Sequence, residues 1–374
     1  MGWRVALVGA GRLGQQYIQT YATFDDCEMV ALVEPNASRL AEVGAQCGVG
    51  PEGQFGETEE MLVSINPDIV CVVTPVRYMH AVVMACARHP SVKAVQCDKP
   101  VGAVLREADE MVEACEEAGV IFAGGNLQRA LGQLQEAAGR LRQGVYGSIR
   151  GAMVHSLGNN EISGGGVQHI SCMRLLLDSE VAEVVAIRKG PVKDAPPLAT
   201  GEPLPTPNDH EGRFVGQFTM TDGLVVPFFP PTDHDDGVER RDSCGVDVWT
   251  SDYQISWDWA PPRILRHEGD RFVEIDPGYA PLEYPDGGYL ATSSRSMIRA
   301  IEGSEEPLFI SGHDMRQALE VAIAVSQSAE GGGVPVSLPL QDRESALYPG
   351  GYRWAGGDVT GRSQTVEEIA LGKL

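Results

Sequence analysis

Short apolar runs and amphipathic stretches alternate along the first third of the chain, from residue 4 to about residue 124. RVALVGA reads as a strand and GRLGQQYIQTYATF as a helix. CEMVALVEP with ASRLAEVGAQCG repeats the pair, as do PDIVCVVTP with RYMHAVVMACARHP and VKAVQC with LREADEMVEACEEAG, before VIFAGG closes the series. These five strands are apolar throughout rather than alternating, which is the pattern of a parallel sheet covered by helices on both faces. The pattern predicts an α/β fold whose N-terminal domain, residues 1–125, is doubly wound.

After GGNLQRA the pattern changes. A helix near 130–144 leads into GSIRGAMVHS, a strand, and a glycine cluster precedes the apolar helix VQHISCMRLLLD. From 181 to about 275 the runs are strand-like and separated by Pro/Asp/Gly turns, as in GRFVGQFTM, GLVVPFF and YQISWDW. They predict a C-terminal α+β domain, residues 126–340, with a large, mostly antiparallel open sheet. Residues 196–212 and 230–243 read as loops. Helices at 292–302 and 312–330 and a last strand in GVPVSLPL close this domain, and 341–374 is an irregular tail.

Composition narrows the partners. The 374 residues carry 52 acidic and 29 basic side chains, a formal net charge of -23, with no basic block. That argues against nucleic acid and anionic membrane. No apolar run approaches the ~20 residues of a membrane span, and MGWRVALVGAG runs into a glycine motif without a cleavage signature, so it reads as a strand. The eight cysteines include no CxxC pair. They read as small buried hydrophobes in a reducing compartment, and a cytoplasmic location is expected. DHDD at 233–236 and NDHE at 208–211 read as solvated loops, so no metal site is expected.

The chemistry starts at residues 9–14, GAGRLG. Gly9 permits a tight turn, Gly11 lets a pyrophosphate approach the backbone beside Arg12 and Leu13, and Gly14 lets the helix pack close to the strand. Glu34 ends the second strand 20 residues after Gly14. An acid at that distance meets the adenosine ribose hydroxyls, which favours NAD over NADP. Arg12 and Arg39 are the cations that could meet a 2'-phosphate instead. Thr74 and Pro75 end the third strand at the carboxyl edge, where such sheets bind ligands, and His80 follows on the next helix, as a cofactor neighbour or as packing.

Lys99 emerges at the same edge, after the fourth strand by this count, between Asp98 and Pro100. Pro100 restricts it to an extended backbone. An amine held there is placed to exchange a proton with a hydroxyl while hydride leaves the carbon. With GAGRLG, TPVRYMH against a TPxxxH pattern, DKP against EKP, the crossing segment GGNLQR and the late SGHDMRQALEVAIAVSQSAEGGGVPVSLPL, the chain resembles the glucose–fructose oxidoreductase, inositol dehydrogenase and rhizopine-catabolism (Gfo/Idh/MocA) family over about residues 3–340.

The resemblance implies a Rossmann domain, an open sheet carrying substrate on one face, and a homodimer or homotetramer formed through that sheet. It implies Lys99 as the proton-transfer residue, with Asp98 beside the cofactor, and Arg129 and Asn126 of the crossing segment near an anionic or polyol substrate. The chain also departs from the family, which places an aspartate four residues before and another three residues after a histidine of the second domain. Here His169 stands between Gly165 and Cys172. His169 is expected to be catalytic or substrate-binding, with Asn159, Asn160 or Glu161 replacing the carboxylates, since a histidine base needs its tautomer fixed. The expected activity is NAD-dependent hydride transfer with a secondary alcohol or ketone of a sugar or cyclitol. The alternatives are transient oxidation serving epimerisation, elimination or cleavage, and dinucleotide binding without turnover.

Overall fold

The computed structural model describes residues 2–125, 127–157, 162–189, 213–230, 245–284 and 288–347. The first unit runs β1 (Trp3–Val8), α1 (Arg12–Tyr21), β2 (Cys27–Val33), α2 (Ala37–Cys47), β3 (Gln54–Phe55), α3 (Thr58–Ile65), β4 (Ile69–Val72), α4 (Val76–Ala87), β5 (Ala94–Cys97), α5 (Leu105–Ala118) and β6 (Ile121–Gly124). All six strands are parallel, in the order β3-β2-β1-β4-β5-β6. The chain therefore reverses its direction of travel between β1 and β4, and the crevice outside their carboxyl ends is where such sheets take ligands.

Register decides what meets there. Val8 pairs with Val33 and Val72, Val72 with Cys97, and Cys97 with Gly124. The residues that follow these pairs, namely Gly9, Glu34, Val73 and Thr74, Asp98 and Lys99, and Gly125, leave the sheet along one edge. Two elements differ from the sequence pattern. Gln54–Phe55 is a two-residue edge strand, too short for a period to register, and Thr58–Ile65 is a helix in a stretch that carried no helical signal. Lys99 accordingly follows the fifth strand, not the fourth.

The second unit contains α6 (Gly132–Arg142), β7 (Ile149–His155), α7 (Val167–Leu177), β8 (Val181–Lys189), β9 (Arg213–Met220), β10 (Val225–Phe228), β11 (Gly245–Thr250), β12 (Tyr253–Trp257), β13 (Arg263–Glu268), β14 (Arg271–Ile275), α8 (Gly288–Ile301), α9 (Gly312–Glu330) and β15 (Val336–Ser337). Its nine strands lie in the order β14-β13-β12-β11-β7-β10-β9-β8-β15, and β7 with β10 is the parallel pair among antiparallel ones. Alternation gives the sheet one face of Ala152, Val154, Phe218, Val226, Val248 and Ile255, buried together with the apolar residues of α7 and α9. Ile187, Val225 and Phe272 are large apolar side chains left exposed. A capping box fixes the start of α9, where the Ser311 hydroxyl accepts from the Asp314 amide and the Asp314 carboxylate accepts from the Ser311 amide.

The end of the chain crosses back. Helix α8 packs on the first sheet: Leu290, Ala291, Met297 and Ile298 share a core with Tyr17, Tyr21, Phe24 and Leu32. The buried Gln96 of β5 accepts at Oε1 from the hydroxyls of Tyr21 and Ser294, at 2.9 and 3.1 Å. Residues 343–347 return to α5, where the Leu105 amide donates to Ser345 and the Leu347 amide to Ala103. The helix expected at 292–302 in the second domain thus shares a core with the first sheet, and the start of the irregular tail bonds to residues 103–106. The stretches 196–212 and 230–243, expected as loops, lie outside the described residues except for Pro230.

Candidate active site

The glycine loop is closed by contacts that leave no room for side chains. Gly9 has φ +99, and a Cβ on it would lie 2.2 Å from the Val73 carbonyl oxygen; on Gly14 it would lie 2.0 Å from the Gly9 carbonyl oxygen. Gly11 caps α1 with extended backbone and no side chain in the way of its first amides. Glu34, buried, sits over this loop, with Oε2 accepting from the Ala10 amide at 3.2 Å and Oε1 from the Asn36 amide at 3.0 Å. Arg39 approaches Glu34 at 3.7 Å, whereas the charge of Arg12 is felt by Asp98. Arg39 is the cation paired with Glu34 among the described residues. A glycine turn with no room for a Cβ at Gly9 or Gly14, beside a buried acid, fits the pyrophosphate and adenosine ribose of a dinucleotide.

At the middle of the edge, the Thr74 hydroxyl is buried without a partner among the described residues, and Pro75 caps α4. The Nε2 of His80 is 2.7 Å from Glu110 on α5, which also holds Arg106, and the contact ties α4 to α5.

Lys99 is partly buried. It borders a gap of about 10 Å3 with Pro100, Val101, Leu127, Val167, Met315, Ala318 and Leu319, beside the start of α7 and the flank of α9. The Lys99–Pro100 peptide bond is cis.

His169 is two residues beyond Val167, hence on the opposite side of α7. Its ring is fully buried and packs edge-on to Trp257 and Trp259, with centroids 5.7 and 5.5 Å away. Burial, aided by the charge of His155, pushes its imidazole down to about 3. The ring is neutral at ordinary pH. His169, expected to be catalytic or substrate-binding, thus stands buried in α7 beside the two indoles.

Arg129 is likewise redirected. Its Nε donates to the Phe309 carbonyl at 3.1 Å and Nη1 to the Ser171 carbonyl at 2.7 Å, and Nη2 meets Asp314 at 3.2 Å. The guanidinium joins the crossing segment to α7 and α9. It borders a cavity of about 290 Å3 with Arg142, Arg174 and Glu180. Asn126, Asn160, Asn159 and Glu161 lie outside the described residues.

One pair escaped the sequence reading. His155 Nε2 is 2.7 Å from Asp247 Oδ2, joining neighbouring strands β7 and β11. The hydrogen bond to Asp247 raises the basicity of His155, and Asp247, despite its burial, is held below the usual carboxylate range. The partners are 92 residues apart, so no local spacing announces them. Among the described residues no cluster suited to a metal ion exists, the seven cysteines are free, and no helix is long and apolar enough to cross a membrane.

Fold and edge together define a two-domain protein built around a dinucleotide-binding sheet. Residues 3–125 match the oxidoreductase family with an NAD-binding Rossmann fold, Gfo/Idh/MocA. It is 28% identical over 198 residues, 49% of its length, to the myo-inositol 2-dehydrogenase of Thermotoga maritima, covering 57% of that protein. It is 25% identical over 205 residues, 48% of its length, to the 2,7-anhydro-N-acetylneuraminate hydratase of Mediterraneibacter gnavus, covering 50% of it. The chain thus spans about half the length of these curated relatives. The WlbA dehydrogenase of Bordetella pertussis, solved with NADH and UDP-GlcNAcA, shares the fold with TM-score 0.70 and 19% identity, over 91% of this chain and 100% of that one.

Proposed function

We propose that the protein is an NAD-dependent oxidoreductase that moves a hydride between nicotinamide and a secondary alcohol or ketone of a sugar or cyclitol. The observation that carries this reading is the placement of Lys99: it leaves the same sheet edge as the glycine cradle and Glu34, and it shares a cavity with the first residue of α7. When bound, the nicotinamide supplies the hydride chemistry. Glu34 holds the adenosine ribose, and the amides at the start of α1 hold the pyrophosphate. The Lys99 amine takes the proton from the substrate hydroxyl in oxidation and returns it in reduction. Leu127, Val167, Met315 and Leu319 keep water from the stem of the lysine. His169, Trp257 and Trp259 form a rigid wall behind α7.

Incubation with NAD and a panel of cyclitols, hexoses and glucosides is expected to produce NADH absorbance with at least one member. Consumption of no member of so broad a panel would refute a polyol dehydrogenase. The likeness to a hydratase favours one second reading, in which oxidation is transient. Its signature is substrate turnover that takes up solvent deuterium without accumulating NADH.

Cofactor choice has its own test. Glu34 offers a buried charged acceptor, worth about 1.5–3 kcal/mol per hydrogen bond. Glu34→Ala is expected to weaken NAD binding by about tenfold and NADP binding less, read by fluorescence titration. An unchanged NAD to NADP ratio removes Glu34 from the choice.

A further inference from the structure

The acid beside Lys99 has a property that proton transfer does not use. Asp98 is 4% exposed. Its carboxylate accepts from the Lys99 amide at 2.8 Å and forms no ion pair with the described residues. A buried carboxylate so thinly compensated costs free energy. The groups that face it are Arg12 and Tyr17 from α1, Cys97 from β5, Tyr289 from α8, and Lys99 itself. The Tyr17 hydroxyl is buried without a partner among the described residues, and a Cβ on Gly125 would come within 1.7 Å of it. Burial outweighs the opposing charge of Lys99, the amide hydrogen bond and Arg12, and carries Asp98 up to about 6. At neutral pH it is ionised at a cost that a cation placed against it reduces.

The fold says which cation would arrive. With Glu34 holding the adenosine ribose at β2 and the glycine loop the pyrophosphate at β1, the other half of the dinucleotide would extend toward β4 and β5. Asp98 is the first residue beyond β5. The nicotinamide ring is a cation when oxidised and neutral when reduced. We propose that Asp98 makes this cofactor site favour the oxidised nicotinamide over the reduced one. The proposal rests on the dinucleotide reading of the crevice and not on proton transfer by Lys99, so turnover data on Lys99 variants leave it standing or falling by itself.

The test is calorimetric titration of the whole protein with NAD+ and separately with NADH. At about pH 7.5 the ratio of Kd for NADH to Kd for NAD+ is expected to fall about tenfold in Asp98→Asn, the effect of one partly screened charge. Asp98→Glu, which keeps the charge, is expected to stay within about threefold of wild type. Wild type taken to about pH 5.5 shifts in the direction of the Asn variant, because Asp98 gains a proton as pH falls through about 6. An acid whose folded value is raised favours folding at low pH and loses that contribution as pH rises through its folded value. Without NAD, Asp98→Asn therefore melts higher than wild type at neutral pH; a packing role would make it melt lower. Equal weakening of both nucleotides in Asp98→Asn, or an unmoved ratio, overturns the proposal. If that variant does not fold, a wild-type ratio that stays constant between the two pH values overturns it.

Discussion

Replacing Lys99 with alanine is expected to lower kcat by about 10²- to 10⁴-fold, the range for a positioned acid–base group, with NAD affinity unchanged within about twofold. The split follows from the geometry. Cofactor affinity is expected from the glycine loop and Glu34, two and three strands away across the sheet, whereas Lys99 lies beside an otherwise apolar gap. Lys99→Arg keeps the charge but holds its proton at every working pH, and it should fail nearly as badly as alanine. Pre-steady-state measurement of NADH formation separates the chemical step from product release. A Lys99→Ala enzyme as fast as wild type would end the acid–base assignment.

Gly9→Ala is expected to cost about 3–5 kcal/mol, from strain of about 1–3 kcal/mol at a left-handed backbone and a comparable overpacking term. The cause is visible at two points: φ is +99, and the new Cβ would overlap the Val73 carbonyl oxygen at 2.2 Å. The carbonyl belongs to the segment leaving β4, so the chain cannot yield without moving Thr74 and Pro75. Urea unfolding should show a lower midpoint, and binding of NAD should be lost in the fraction that folds. Gly48→Ala is a useful comparison, because its φ of +78 carries backbone strain while a Cβ there meets nothing; it should lose about 1 kcal/mol. Equal losses at both positions would mean that the close approach to β4 has no energetic weight.

The parts of this molecule that local patterns govern were legible. Uniformly apolar strands flanked by amphipathic helices gave the parallel sheet, and residues 9–14, Glu34 and Lys99 declared themselves by their distances from strand ends. What long-range packing decides was not legible. His169 sits in a helix rich in glycine before it and leucine after it, which suited a reactive residue; Trp257 and Trp259, almost ninety residues on, determine that it is sealed. Arg129 lies in a segment typical of substrate contact, yet the carbonyls of Ser171 and Phe309 claim its donors. The burial of Asp98 depends on Tyr17 and Tyr289 from opposite ends of the chain. β3 was missed because two residues carry no period.

Helix α8 has a consequence for anyone dividing this chain. Its apolar side fills the space beside Tyr17, Tyr21 and Phe24, so a fragment ending at residue 125 would expose a greasy scar where Leu290, Ala291 and Met297 had been. The nucleotide-holding half is completed by a strap threaded back from late in the sequence. Any gaping of the crevice must bend around that strap, and amputating it would give a sticky, misassembling piece instead of a small autonomous cofactor carrier.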